Sequence, residues 1–116
     1  MSLNLRLKHM GINVRDDELE EMMGIFACLF AGESRKTVNG GFGSDWVELM
    51  DESHAKGEKG HIGVGTDDVD EAMAYFRNLG YDFDESTLKY DEQGRKRLIY
   101  FDRQFCGFAV HLVRND

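Results

Sequence analysis

KHMGINV at Lys8 to Val14 and GHIGVGT at Gly60 to Thr66 are near copies of one another, and no other feature constrains the fold as much. Each places a histidine two residues before a glycine, His9 before Gly11 and His61 before Gly63, and runs on as a short apolar strand. Acidic residues suited to a helix start then follow. In a chain of 116 residues, two such copies predict two supersecondary units of one kind, each too small to bury its apolar face alone. The expected domain spans residues 1–116, with repeat one covering about 4–52 and repeat two about 58–115.

In the first copy, Leu5 to Val14 alternates as a strand, with Leu5, Leu7, His9 and Gly11 on one face and Met10, Ile12 and Val14 on the other. Asp16 or Asp17 is placed to cap a helix, with Glu20 in capping-box position to Asp17. Leu19, Met22, Met23, Phe26, Leu29 and Phe30 recur at spacings of three and four as one apolar stripe, and Gly32 is the natural stop. Asn39, Gly40, Gly41 and Gly43 crowd a span that must hold turns and short strands. Next, Asp45 to Met50 reads as a strand with Trp46, Glu48 and Met50 on one face.

Polar residues from Asp51 to Lys59 predict a linker, with His54 as a solvated surface residue. Repeat two follows the same plan. Thr66 to Asp68 offers caps, Val69, Ala72, Met73, Phe76 and Leu79 form a second stripe, and Gly80 ends it. Strand-like segments lie around Tyr81 to Asp84, Leu88 to Tyr90, Lys96 to Asp102 and Phe108 to Arg114, with DEQGR as a hairpin turn. The fold expected is α+β: two strand-helix-three-strand repeats forming one curved, mixed, eight-stranded sheet. Helices cover its convex face over Phe26, Leu29, Met73 and Phe76, and the concave face is left for a ligand.

The charge balance, 14 basic against 22 acidic residues, argues against nucleic acid or an anionic membrane as the main partner. No apolar run approaches the roughly 20 residues of a membrane span, and no signal pattern opens the chain, so a cytoplasmic protein is expected. Cys28 and Cys106 do not make a disulfide framework and read as reduced thiols.

His9 and His61 begin equivalent strands. Glu48 in WVELM and His111 in AVHLV stand at equivalent places in the last strand of each repeat. A pseudo-twofold between the repeats would bring these four side chains together on the concave face. Imidazole nitrogens and a carboxylate converging there suit one divalent transition metal of the Zn, Ni, Mn, Fe or Co group. Neutral imidazole is the binding form, so affinity is expected to fall as pH drops through roughly 6.5. Taken singly, each residue has a plainer reading as a hydrogen-bonded or solvated strand residue. Their joint placement in a repeat favours the metal.

The duplicated plan, with KHMGINV and GHIGVGT as first strands and WVELM and FAVHLV as last strands, resembles the vicinal oxygen chelate superfamily. That superfamily includes glyoxalase I, bleomycin resistance proteins and extradiol dioxygenases. The run FDESTLKYDEQGRKRLIYF followed by CGFAVHLV is similar to the extra C-terminal domain of some 2-keto-3-deoxy-phosphogluconate aldolases. The resemblance implies metal ligands on the first and last strand of each repeat, hence His9, Glu48, His61 and His111. Tyr100 falls about where dioxygenase members place an acid/base tyrosine, against a plainer reading as sheet packing. The chain departs from the family at His111, where a glutamate is common, and at Asp102 to Gly107, which replaces an aspartate-proline-glycine turn.

Lys89, Arg95, Lys96 and Arg97 form a basic cluster in an acidic protein. Lys89 and Arg97 are the pair expected at the rim of the cup, binding the anionic group of a small ligand. The function expected is a metal-dependent, glyoxalase-like protein acting on a small 2-oxo or 2-hydroxy acid through adjacent oxygens, in the lyase, isomerase or dioxygenase class. Glu48 would then double as proton-transferring base. The alternative is a non-catalytic small-molecule-binding or regulatory module of the bleomycin-resistance type, with a tie to sugar-acid (aldolase) metabolism left open. The strand pattern serves equally a cup within one chain and a cup shared across a homodimer, so both stay open.

Overall fold

The computed structural model describes residues 3–116. Strand β1 (Arg6–Asn13) leads through a single 3-10 turn (Asp16–Glu18) into helix α1 (Leu19–Leu29), followed by β2 (Ser34–Thr37), β3 (Gly40–Gly43) and β4 (Val47–Met50). Repeat two runs β5 (Gly60–Thr66), α2 (Val69–Asn78), β6 (Phe83–Tyr90), β7 (Lys96–Phe101) and β8 (Phe108–Arg114). All eight strands join one sheet in the order β2-β3-β4-β1-β5-β8-β7-β6. Within each repeat the first and last strands pair in parallel, β1 with β4 and β5 with β8. The intervening helix and hairpin supply the crossover that a parallel pair requires. Antiparallel pairing of β1 with β5 joins the repeats, so the two halves meet within one chain.

Each repeat has its own apolar core beneath its helix. Leu19 and Met23 of α1 pack with Val47 and Leu49, while Val69, Ala72 and Met73 of α2 pack with Phe83, Ile99, Phe101 and Leu112. Helix α1 lies close against β3, because a Cβ at Gly41 would meet the Met23 side chain and one at Gly43 would meet Phe26. Phe42, between them, points to the other face of the sheet. The pattern GGFG thus admits a helix on one side and supplies an aromatic wall on the other.

Several local expectations are corrected. The Asp17–Glu20 capping box does not form: a 3-10 turn precedes α1, whose N-cap Glu18 makes no side-chain bond. Asp16 is used elsewhere, its carboxylate accepting from the Glu52 N–H while Glu52 accepts from the Asp16 N–H, which clips the helix entry to the linker. Leu29 is 68% exposed and does not lie under the sheet, whereas Phe26, Met73 and Phe76 pack in the cores. At the end of α1 the left-handed residue is Ala31, not Gly32. Gly32 has a different reason to be small, since a Cβ there would collide with Ser44.

The two segments around Tyr81 to Asp84 and Leu88 to Tyr90 are one strand, β6, with register shifts between Asp84 and Tyr90. Side chains repair the interrupted ladder: Thr87 Oγ1 donates to the Asp84 carbonyl and accepts from the Tyr100 N–H. A bulge between Leu7 and His9 also changes which residues share a face of β1. Arg6 pairs with Gly65 and Leu7 with Val64, whose side chain belongs to the α2 core. Arg6, not Leu7, therefore lies on the side of His9.

Candidate metal centre

The four central strands, β4-β1-β5-β8, each bring one polar side chain to the middle of the concave face. Parallel pairing sets Glu48 beside Gly11 and His111 beside Gly63, while antiparallel pairing sets His61 across from Gly11 and His9 across from Gly63. The pseudo-twofold read from the repeat thus relates His9 to His61 and Glu48 to His111 in the ladder itself. The glycine that follows each histidine by two positions leaves the space its neighbours' rings occupy. A Cβ at Gly11 would overlap the His61 ring, and one at Gly63 would press on the His9 and His111 rings.

Nε2 of His9 lies 3.2 Å from Nε2 of His61 and 3.4 Å from Nε2 of His111. Glu48 Oε1 is 3.1 Å from His61 Nε2 and 3.5 Å from His9 Nε2. His61 and His111 are almost wholly buried, at 1% and 2% exposure. The three imidazoles present one nitrogen each within 4.8 Å of one another.

Burial and the neighbouring rings hold His9 and His111 neutral. The His9 pKa is pushed down to about 4, first by burial, partly offset by Glu48 and reinforced by His61 and Lys8. That of His111 is pushed down to about 3, again first by burial and then by His9 and His61. In neutral His111, Nδ1 carries the proton it donates to the Leu112 carbonyl at 3.3 Å, leaving the Nε2 lone pair facing the cluster. Proton competition with a cation is thereby moved from the expected pH of roughly 6.5 to about 4 for His9.

These donors fit a divalent ion. Adjacent ligand atoms at about 2.0–2.2 Å from an octahedral or tetrahedral centre stand roughly 2.8–3.6 Å apart, a range that contains the separations of 3.1 to 3.5 Å found here. Lone pairs of several neutral imidazoles facing one another at such distances have no internal proton to share among them all. A cation satisfies them together.

A cavity of about 580 Å³ opens above the cluster. His9, Glu48, His61 and His111 form its floor, with Tyr100, Lys89 and Arg97 also in its lining, so all seven residues expected in the site line one cavity. Tyr100 lies across the ladder from His111 with ring centroids 4.9 Å apart. Burial, then the Glu48 charge, pushes its pKa up to about 12, so the hydroxyl stays protonated at neutral pH. The rest of the basic cluster faces away: Arg95 pairs with Asp91 and Lys96 with Asp70.

Sequence reasoning missed Phe42 and Lys56. Phe42 pairs with Glu48 as Tyr100 pairs with His111, and its ring meets His9 edge-on at 5.8 Å. The repeat register alone would have found it. Lys56 comes from the linker and sets its ammonium 5.5 Å from the centre of the Tyr100 ring. His54 is exposed and bonded to Asp51, outside the cavity.

Two strand-helix-three-strand repeats in one open eight-stranded sheet are the vicinal oxygen chelate fold, and this chain has that fold. Solved structures agree. It is similar to a variant of Streptomyces coelicolor methylmalonyl-CoA epimerase in complex with 2-nitronate-propionyl-CoA, at TM-score 0.58 and 18% identity over 94% of this chain and 93% of that one. A hypothetical protein from Bacillus halodurans C-125 matches at TM-score 0.63 and 14% identity, covering 97% and 95%. The 2,2',3-trihydroxybiphenyl 1,2-dioxygenase of Sphingomonas wittichii strain RW1 matches all of this chain with 42% of its own length, at TM-score 0.60 and 13% identity. No family model and no curated protein sequence matches the chain. Among the described residues, no helix is long and apolar enough to cross a membrane.

Proposed function

We propose that this chain is a metal-dependent, glyoxalase-like protein that binds a small 2-oxo or 2-hydroxy acid through two adjacent oxygens and moves a proton on it. The observation that carries the reading is the convergence of His9, His61 and His111 Nε2 with Glu48 Oε1 on the floor of a cavity. These four residues would hold one divalent transition ion. Bound there, it supplies Lewis-acid polarisation of the ligand's adjacent oxygens.

The chain's own groups do the rest. Among the described residues Glu48 is the one carboxylate in the cavity lining, so it is the group able to take a proton from the carbon next to the polarised oxygen and return it. Tyr100, protonated at neutral pH, serves as a hydrogen-bond donor toward the ligand and not as a base. Lys89, Arg97 and Lys56 line the same cavity as cations for the ligand's carboxylate. Leu98, Met50 and Phe42 in the lining limit water at the reacting carbon. The resemblance to aldolase-associated domains makes sugar acids the first ligands to try.

A second reading rests on the same lone carboxylate. If Glu48 stays committed as a ligand, the described residues lining the cavity offer no other carboxylate base, and the cup serves as a binding module without turnover. Metal analysis of protein purified without chelator tests the first step: one ion per chain in the wild type and none in a His9→Ala, His61→Ala double variant. Stoichiometric metal in that variant would overturn the centre. Exchange of a ligand's carbon-bound hydrogen with deuterated water, followed by proton NMR, then separates the readings, since a binding module leaves that hydrogen in place.

A further inference from the structure

Next to the metal cup, and sharing His9 and Phe42 with it as walls, lies a second cavity of about 490 Å³. Arg6, Lys8 and Arg35 line it together with Trp46, Leu7 and Asp45. In a protein of net charge −8, these cations are conspicuous for what they lack. Arg6 and Lys8 bond to Asn115, through its side-chain and backbone oxygens, and Arg35 stacks on Phe42 at 4.6 Å. None of the three is within ion-pair distance of a carboxylate among the described residues, Asp45 included. Elsewhere the opposite holds: Arg95 and Lys96 on the β6–β7 hairpin and Arg114 at the end of β8 are each held by an aspartate. Lys56, Lys89 and Arg97 in the first cavity also lack a carboxylate partner among the described residues, so six of the eight lysines and arginines without one line the two adjoining cavities, Lys59 and Arg103 being the other two.

We propose that the ligand of the cup carries a second anionic group of the phosphate class, seated between Arg6, Lys8 and Arg35 in the second cavity. This deepens the reading above and rests on it for the ligand's other end. Two guanidinium groups and an ammonium match a phosphate dianion better than a lone carboxylate, because each guanidinium presents paired N–H donors to adjacent oxygens. Arg6 stands three residues before His9, roughly 10 Å along a strand and less across the bulge, so the phosphate and the chelating oxygens belong at opposite ends of a chain of about five or six carbons. Trp46, half exposed, offers apolar surface beside the phosphate seat. The bulge at Lys8 has a purpose in this arrangement, since it turns Arg6 to the side of His9.

Gluconate and 6-phosphogluconate, a 2-hydroxy acid without and with a terminal phosphate, are the probes, titrated calorimetrically into metal-loaded protein. The phosphorylated acid is expected to bind about tenfold or more tightly than gluconate. That advantage should vanish in an Arg6→Ala, Arg35→Ala double variant whose affinity for gluconate is unchanged. An Arg35→Gln single variant, which keeps the side chain's length and removes its charge, should lose part of it. An equal advantage in wild type and double variant, no advantage in either, or no binding of either acid at millimolar concentration would overturn the proposal. Repeating both titrations after chelation keeps the two readings apart. Failure of the chelation reading leaves gluconate affinity indifferent to metal, while the difference between wild type and double variant still reports on the phosphate seat.

Discussion

Gly11 lies directly across the β1–β5 ladder from His61, and the space where its side chain would be is filled by the His61 ring. Gly63 stands in the same relation to His9. The repeated His-x-Gly is therefore one device used twice in an antiparallel pair: each strand contributes a ring and, two residues on, the gap that receives its partner's ring. Side chains two apart share a face, which is why the spacing is two.

Substituting Gly11→Ala should displace the His61 ring. Overpacking of this kind costs on the order of 1–3 kcal/mol, and metal affinity should fall with it because His61 Nε2 leaves the cluster. Gly24→Ala in the middle of α1 should do the reverse, since nothing lies within 4 Å of its Cβ position and the helix gains roughly 0.5–1 kcal/mol from the better helix former. Urea unfolding and metal titration of the two variants check both signs. A Gly11→Ala protein with wild-type stability and metal content would contradict this account of the motif.

The end of α1 offers a second test. Ala31 has φ 53°, the left-handed conformation that costs an L side chain and not glycine, while its N–H and that of Gly32 bond back to Cys28 and Ala27. Ala31→Gly should stabilise the protein by about 0.5–1 kcal/mol if relief of strain exceeds the added unfolded-state entropy. A higher urea midpoint at unchanged slope is the expected result.

How legible the site was in the chain follows from which feature placed each residue. His9, His61, Glu48 and His111 could be read because register carries them: strands repeat with period two, and the second copy fixed the correspondence. Phe42 was equally legible by register, through its relation to Tyr100, but the glycine-rich stretch around it obscured the strand. Leu7 was put on the face of His9, where Arg6 in fact stands, because one bulged residue flips the face of everything before it, and nothing in RLKHMG marks the bulge. Lys56 was invisible, since a linker has no periodicity. Leu29 continued the helical stripe in sequence, yet it stands at the last residue of α1, beyond the reach of the sheet's core.

Acid should weaken the metal-free fold before any carboxylate contributes. His9 and His111 titrate at about 4 and about 3 when folded, against 6.5 for the ordinary side chain. Between pH about 4 and about 6.5 the unfolded chain therefore binds protons that the folded chain refuses. Stability then rises with pH across that window and levels off above it, by several kcal/mol in sum. The surface carboxyls held low by hydrogen bonds, Asp51 through His54 and Asp116 through Arg114, lose their stabilisation only as pH falls below the usual carboxylate range. Chemical denaturation with chelator at pH values on either side of about 6 should show the slope, and His111→Gln should reduce it.

The final prediction concerns what a ligand recognises. Three neutral imidazoles and the Glu48 carboxylate would leave a bound divalent ion with a net charge of about +1, in a cavity rimmed by Lys56, Lys89 and Arg97. An anion with two adjacent oxygens meets both the ion and the rim, whereas the chain's excess negative charge is screened over about 8 Å at physiological salt. A 2-oxo or 2-hydroxy acid should therefore raise the melting temperature of metal-loaded protein and leave chelator-treated protein unmoved. In Glu48→Gln the site loses its carboxylate, so retained metal would carry a higher charge and the ligand should still bind, while exchange of its carbon-bound hydrogen should stop. Thermal shift and deuterium exchange on the same samples separate these roles. Equal stabilisation with and without metal would show that the cup recognises its ligand by shape and rim charge, and would favour the binding-module reading.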